Sequence, residues 1–294
     1  MKQIALMIIV PWVMYLFSSE CAAQIRAGDS VRVTVTARVS KSNGDTLSYR
    51  YAANVKSDSP QKLVEFTLEL GLKQESDVGL FSVDSAVNKY WGGSIEFGGE
   101  QPSSFAGAAV AWVPLDTLAD LADQFNPPRS AVGAGDSLLV SLRSIALPGI
   151  NRFWAEGWYG PISEHEYDSL LATGFSPNDI LKPWYLDAFE SKTVTPVVPS
   201  LPLNSLDFLD TLMSYTTQSR SLAWIKDQPT ADKYAGYFSS ARAKLVQRDS
   251  VGARTSLQQV LRDVDIDSIA NLTSEAYALL RYNTEYLLRQ LPIR

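Results

Sequence analysis

From Val31 the chain alternates. Val31, Val33, Val35, Ala37 and Val39 fall on one side, and Arg32, Thr34, Thr36 and Arg38 on the other. A two-residue period predicts a half-buried strand. Ser42-Asn43-Gly44-Asp45 follows, and its Asn-Gly pair favours a two-residue hairpin turn. Thr46–Val55 resumes the alternation with Leu47, Tyr49, Tyr51 and Ala53 on one face. Leu63–Leu70 turns Leu63 (or Val64), Phe66, Leu68 and Leu70 inward, and Ala109–Val113, Ser137–Ile145 and Ile150–Tyr159 are further strand candidates. Glycine- and proline-rich joints separate them, among them the stretch 92–99. Short strands broken by turns, with almost no helical pattern before Glu164, predict an antiparallel β-sandwich over residues 24–160.

The pattern then changes twice. Residues 161–202 are mixed and carry Pro196, Pro199 and Pro202, which remove backbone donors and favour extended chain, so this stretch reads as a linker. Beyond it the period becomes helical. Leu203, Leu206, Leu209, Leu212 (or Met213), Leu222 and Ile225 form one stripe, broken at Pro229-Thr230. Tyr234, Tyr237, Phe238, Ala241 and Leu245 form a second, and Ala253, Leu257, Val260, Leu261 and Val264 a third. Thr273 is placed to cap a last helix bearing Ala276, Leu279, Leu280, Asn283, Leu287 and Leu291, with Glu275 in its first turn where the helix dipole favours an acid. Residues 203–294 therefore read as a four-helix module, and the chain as a multi-domain β-then-α protein.

A length of 294 residues agrees with two bodies, since a typical domain holds about 150. Twenty-six Lys and Arg against 32 Asp and Glu leave a net charge of −6, which argues against nucleic acid as a partner. One Cys and one His rule out a Cys/His zinc centre.

The amino terminus points to export. Met1-Lys2 is a short basic start, Ile4–Phe17 is apolar, and small and polar residues follow, the layout of a secretory signal over residues 1–23. The apolar run is about 14 residues, short of the roughly 20 that span a bilayer, so the mature chain is expected to have no membrane span and to lie in the periplasm, at the cell surface or outside the cell. Cys21 offers the alternative of lipidation, against which Glu20 stands where a lipoprotein signal carries a small neutral residue. Cleavage after Ala23 would leave a mature chain without cysteine, in keeping with an oxidising compartment.

Within the helical part, Ala241, Ala243 and Leu245 close one helix, and a turn at Arg248-Asp249 stands where Gly-Asn or Gly-Asp is usual. Ala253, Leu257 and Val260–Val264 follow, then Leu272–Leu280 opens the last helix. This stretch resembles the FIMAH-type helical module found at the carboxyl end of secreted bacterial proteins. The resemblance implies an accessory module beside other extracytoplasmic domains and transfers no catalytic residue. The β part resembles immunoglobulin-like sandwiches of exported proteins in architecture only.

Gly135-Asp136-Ser137-Leu138 spells the opening of a GDSL-type esterase, yet its serine needs a histidine base, and the position three before His165, the chain's single histidine, is Ile162. The Gly-Asp-Ser at 28–30 simply launches a strand, and the one at 135–137 reads the same way. Glu164-His165-Glu166-Tyr167-Asp168 alternates sides if extended, which suits a solvated loop better than a metal. Asp263, Asp265 and Asp267 crowd a helix end and form the better cation candidate, although no metal site is expected. Aromatic residues are the remaining signal. Trp91 follows Tyr90 and precedes two glycines, and Trp158-Tyr159 closes a strand, so Tyr90, Trp91, Trp158 and Tyr159 are the expected ligand-binding residues. The expected function is non-enzymatic: an interaction or adhesion protein without cofactor, its partner an unknown protein or glycan. The alternative is a carbohydrate-binding or hydrolase-associated accessory using the same loop aromatics, and a third reading is an assembly subunit completed by its partner.

Overall fold

The computed structural model describes residues 31–72, 77, 81–83, 90–97, 108–115, 128–158, 168–169, 171–174 and 188–292. The amino-terminal segment 1–23, Cys21, the first Gly-Asp-Ser, His165 and Tyr159 lie outside them. Nine described strands precede four helices. The strands are β1 (Val33–Lys41), β2 (Leu47–Val55), β3 (Leu63–Leu70), β4 (Phe81–Val83), β5 (Trp91–Phe97), β6 (Ala108–Pro114), β7 (Ser137–Ser144), β8 (Leu147–Gly157) and β9 (Phe189–Val197). The helices are α1 (Ser205–Ser221), α2 (Gln228–Val246), α3 (Ser250–Asp267) and α4 (Ser274–Gln290).

The strands form two antiparallel sheets. Sheet A runs β1-β2-β7-β4 and sheet B runs β5-β6-β3-β8-β9. Their inner faces share one core, in which Val33, Tyr49 and Leu142 of sheet A join Phe66, Trp112 and Phe153 of sheet B. The predicted alternation of β1 and β2 holds along both strands, with only Val35 of the inward set partly exposed. In β3 the ambiguity between Leu63 and Val64 has a structural cause: the register with β8 shifts between Leu63 and Glu65, so that Leu63 and Phe66 can both face inward. The β1–β2 turn differs from the expected two-residue hairpin. Lys41 pairs with Leu47, leaving five residues between them, with Gly44 at φ +65° and the loop closed by the Ser42 N–H donating to the Thr46 carbonyl at 2.8 Å.

Two strands come from stretches read as joints. Gly92 to Phe97 belongs to β5, where Trp91, Gly93 and Ile95 keep the two-residue period and pair with β6. Residues 161–202, read as a linker, contribute β9, which pairs with β8 over nine residues and buries Val194 in the sandwich core. Phe189 at its start stands 6.0 Å from Phe153, which lies 5.8 Å from Phe66, which stacks on Trp112 at 6.0 Å. A row of rings therefore ties β6, β3, β8 and β9 together across the sheet. Pro196 sits in β9 at the edge of sheet B, a place where a missing N–H costs no ladder bond.

The helices carry their own core of Leu209, Leu212, Tyr234, Phe238, Leu257 and Leu280, among others. Asn204 caps α1 by accepting from the Leu206 N–H at 3.0 Å, Asp227 caps α2 through the Thr230 N–H at 2.7 Å, and Asp249 caps α3 through the Gly252 N–H at 2.8 Å. Thr273 holds the expected cap position of α4 in extended backbone, but its side chain makes no capping bond. Arg248, in the turn where the FIMAH-type pattern has glycine, adopts φ +62°. That left-handed conformation costs an L-residue roughly 1–2 kcal/mol, the physical reason for glycine at such a helix end. No described helix is long and apolar enough to cross a membrane.

Candidate functional site

The sandwich has two ends, and strand register identifies what lies at each. Trp91 pairs with Pro114, Trp112 with Phe66, and Leu63 with Gly157. The start of β5, the end of β6, the start of β3 and the end of β8 therefore share one end, which gathers Tyr90, Leu115 and Trp158. The opposite end holds the β1–β2 hairpin and the β7–β8 connection, because Lys41 pairs with Leu47 and Leu47 with Ser144.

That opposite end and the adjoining edge of β1 are closed by α4. As an edge strand, β1 has unpaired backbone groups along one side. Glu275, only 4% exposed, accepts the Ala37 N–H at 2.6 Å; the Tyr282 hydroxyl donates to the Val39 carbonyl at 3.2 Å; and Asn283 Nδ2 donates to the Pro148 carbonyl at 2.8 Å. Ala278 and Leu279 join the sandwich core. Lys41 with Glu285 and Asp45 with Arg289 add ion pairs around this joint. Side chains of α4 thus do for β1 what a further strand would do. A cleft of about 270 Å³ remains beside the joint, lined by Pro148, Val197, Pro202, Phe208 and Tyr215 among others.

The four residues expected to bind ligand fare differently. Trp91 is corrected: it is 2% exposed, lies in the sandwich core and donates its indole N–H to the Ser130 carbonyl at 2.8 Å. Its two-residue spacing from Gly93 and Ile95 turns it inward, so it plugs the end of the sandwich and presents no face to a ligand. Tyr90 points the other way and is 51% exposed. Its carbonyl accepts the Leu115 N–H at 2.7 Å, which sets the ring's backbone beside Leu115, itself 48% exposed. Gly92 makes room for that leucine, since a Cβ there would stand 2.6 Å from Leu115 Cδ2. Trp158 is half-buried, and its backbone N–H donates to the Lys62 carbonyl at 2.8 Å. Tyr90 and Leu115 are thus neighbours at this end, and Trp158 lies at the same end two strands further across the sheet, beyond β3. Leu115 was missed because the β6 pattern ends before it; the close approach to Gly92 is its only sequence trace.

Other candidate chemistry disperses. The Ser137 hydroxyl donates to Asn54 Oδ1 at 2.6 Å on an exposed strand, and Gly135 takes φ +85°, so this Gly-Asp-Ser is a turn that launches β7. The three acids at the end of α3 are each engaged by side chains of the bundle, and Asp263 and Asp267 share Lys233, at 3.8 Å from the first. Asp263 accepts from the Tyr237 hydroxyl at 2.7 Å, Asp265 from Arg281 at 2.7 Å, and Asp267 from Lys233, from the Tyr234 hydroxyl at 2.6 Å and from Asn271. No group of three metal-ligating side chains occurs among the described residues. Burial pushes the Asp267 carboxyl up, but the hydrogen bonds from Lys233 and Tyr234 and the nearby ammonium charge outweigh it and hold the carboxyl below its ordinary range. Burial and the bond to Asp267 together hold the Tyr234 phenol well above its own. This network joins α2 to α3 and is structural. The chain matches no family model and no curated protein.

Proposed function

We propose that the chain is an exported, non-enzymatic interaction protein that engages a glycan or protein through the Tyr90–Leu115–Trp158 end of an immunoglobulin-like sandwich. The observation that carries this reading is the unequal treatment of the two ends. One is covered by α4 and tied down through Glu275, Tyr282 and Asn283, while the other keeps Tyr90 half-exposed above the buried Trp91. Large rings held by rigid strands at low entropic cost are efficient binding anchors. The basic-then-apolar start of the chain supports export, and the cap-and-turn layout of α2, α3 and α4 supports a FIMAH-type accessory module. In this role the helical module is the sandwich's support and its lid.

Tyr90 beside Leu115 also favours the second reading, a carbohydrate-binding accessory, because an exposed ring next to an aliphatic side chain can stack on a pyranose face. A glycan array with the intact chain, Tyr90→Ala and Trp158→Ala tests both. Binding to a defined glycan that both variants weaken while keeping the thermal midpoint supports the carbohydrate reading. Retention of binding in both variants removes the aromatic end as the site.

A further inference from the structure

Sheet A and sheet B carry opposite charge. The four strands of sheet A contain Arg38, Lys41, Arg50 and Arg143 and no acidic residue at all, in a chain of net charge −6. The five strands of sheet B contain five glutamates against Arg152 and Lys192. Arg152 is answered there by a fork to Glu69, with both bonds at 3.2 Å, and by Glu190 at 3.8 Å. Sheet A treats Arg38 and Arg50 differently. Arg38 and Arg50 are direct cross-strand partners on the outer face, both exposed, and neither side chain makes a hydrogen bond or ion pair with a described residue. Like charges directly opposite one another destabilise a sheet. Arg143 lies on the next strand, two residues along from the Ser141 that faces Arg50. With strands about 4.8 Å apart, Arg38 and Arg50 set two guanidinium groups in a row across the face, and Arg143, which has a partner of its own, lies diagonal to them.

We propose that the outer face of sheet A is a binding surface for an anionic polysaccharide, one bearing carboxylate or sulfate groups along its chain. This surface is separate from the aromatic end and does not depend on it. Guanidinium forks pair with carboxylate and sulfate in two-point geometry. The residues around the row are small hydroxyls, Thr36, Ser48 and Ser141, which suit sugar hydroxyls. A protein partner would call for an apolar or aromatic centre. Leu139, at the rim of the row and 44% exposed, is the one large apolar side chain on the described strands of this face. The flat, extended face of a sheet matches an extended polymer better than a compact ligand.

The test measures binding of the full chain to polygalacturonate, to heparin, to neutral dextran and to vesicles containing phosphatidylglycerol. Binding to either anionic glycan but not to dextran is expected, weakening as NaCl rises through the range where the Debye length shrinks from about 10 Å. Arg38→Gln with Arg50→Gln should weaken it roughly tenfold or more, while Arg262→Gln on α3 should leave it unchanged. The double variant should also fold at least as stably as the parent, because it removes a like-charge pair. No binding to either anionic glycan overturns the proposal, and so does binding to vesicles alone. Equal loss in Arg262→Gln, or no loss in the double variant, overturns it as well. Tyr90→Ala should leave this binding intact, which separates its failure from that of the aromatic end.

Discussion

The two ends of the sandwich solve the same problem by different chemistry. Any sheet end or edge exposes backbone groups and core residues that must be covered. At the α4 end the cover is polar and specific: a buried carboxylate, a phenol and an amide each meet one backbone group of β1 or β8. At the other end a buried indole, Trp91, fills the core with its N–H returned to the Ser130 carbonyl. The first solution uses one face of α4, with Glu275, Ala278, Leu279, Tyr282 and Asn283 turned to the sandwich. The second relies on Trp91 and leaves Tyr90 and Leu115 exposed. Of the two ends, it is the thinly covered one that presents this exposed pair of side chains.

Substitutions test this contrast, beginning where the loss is greatest. Trp91→Ala should cost about 3–5 kcal/mol, the range for emptying a large aromatic site in a core, read as a fall in the urea midpoint. A near-neutral result would mean that the indole does not plug the sandwich and would reopen it as a ligand contact. Glu275→Ala leaves the Ala37 N–H buried without a partner and should cost about 1–3 kcal/mol. Tyr282→Phe removes one bond at the same joint and should cost about 0.5–1.5 kcal/mol. Arg248→Gly relieves the left-handed residue after α2 and should stabilise by about 1 kcal/mol, seen as a higher thermal midpoint. If the α4 joint holds, that gain raises one common transition; if the two bodies unfold apart, only the helical signal moves. Tyr90→Ala should stay within about 0.5 kcal/mol of the parent, as exposed positions do.

The pH response separates the bundle from the joint. The Asp267 carboxyl titrates below its unfolded value, so its contribution is complete above the ordinary carboxylate range and fades as pH falls through the lower folded value. Acid titration of stability should therefore show a drop below about pH 4 that Asp267→Asn makes shallower. An unchanged slope in the variant would mean that Lys233 and Tyr234 do not favour the charged form.

Much of this was legible in the sequence because single-sided burial writes a period. Val31 to Val39 and Tyr49 to Ala53 alternate because one face meets the core. The four helices announce themselves through their stripes, whereas the caps Asn204, Asp227 and Asp249 emerge only in the structure and the one cap expected, Thr273, makes no side-chain capping bond. Two strands were hidden by composition. Gly92 and Gly93 made β5 look like a loop, and Pro196 near the end of β9 with Pro199 and Pro202 beyond it made that stretch look like a tether. The role of α4 was hidden by its breadth. Ala276, Leu280 and Leu287 face the helices, while Ala278 and Leu279 face the sandwich, so its buried arc is wider than one stripe. Glu275 gave no sign of its task, since an acid in a first helical turn is satisfied by the dipole alone. Of the aromatic candidates, the Trp91-Gly93-Ile95 spacing already favoured burial, whereas nothing in the local pattern placed Tyr90 beside Leu115.

The joint between α4 and β1 is the premise on which the rest stands, and one amide reports on it. Ala37 sits on the edge of sheet A with its N–H turned away from β2 and held by Glu275. Native-state hydrogen exchange read at that amide should show protection close to that of the central strands β2 and β7. Exchange at the rate of an open edge strand would mean that α4 does not close this end, and the distinction between a sealed end and a presenting one would fall.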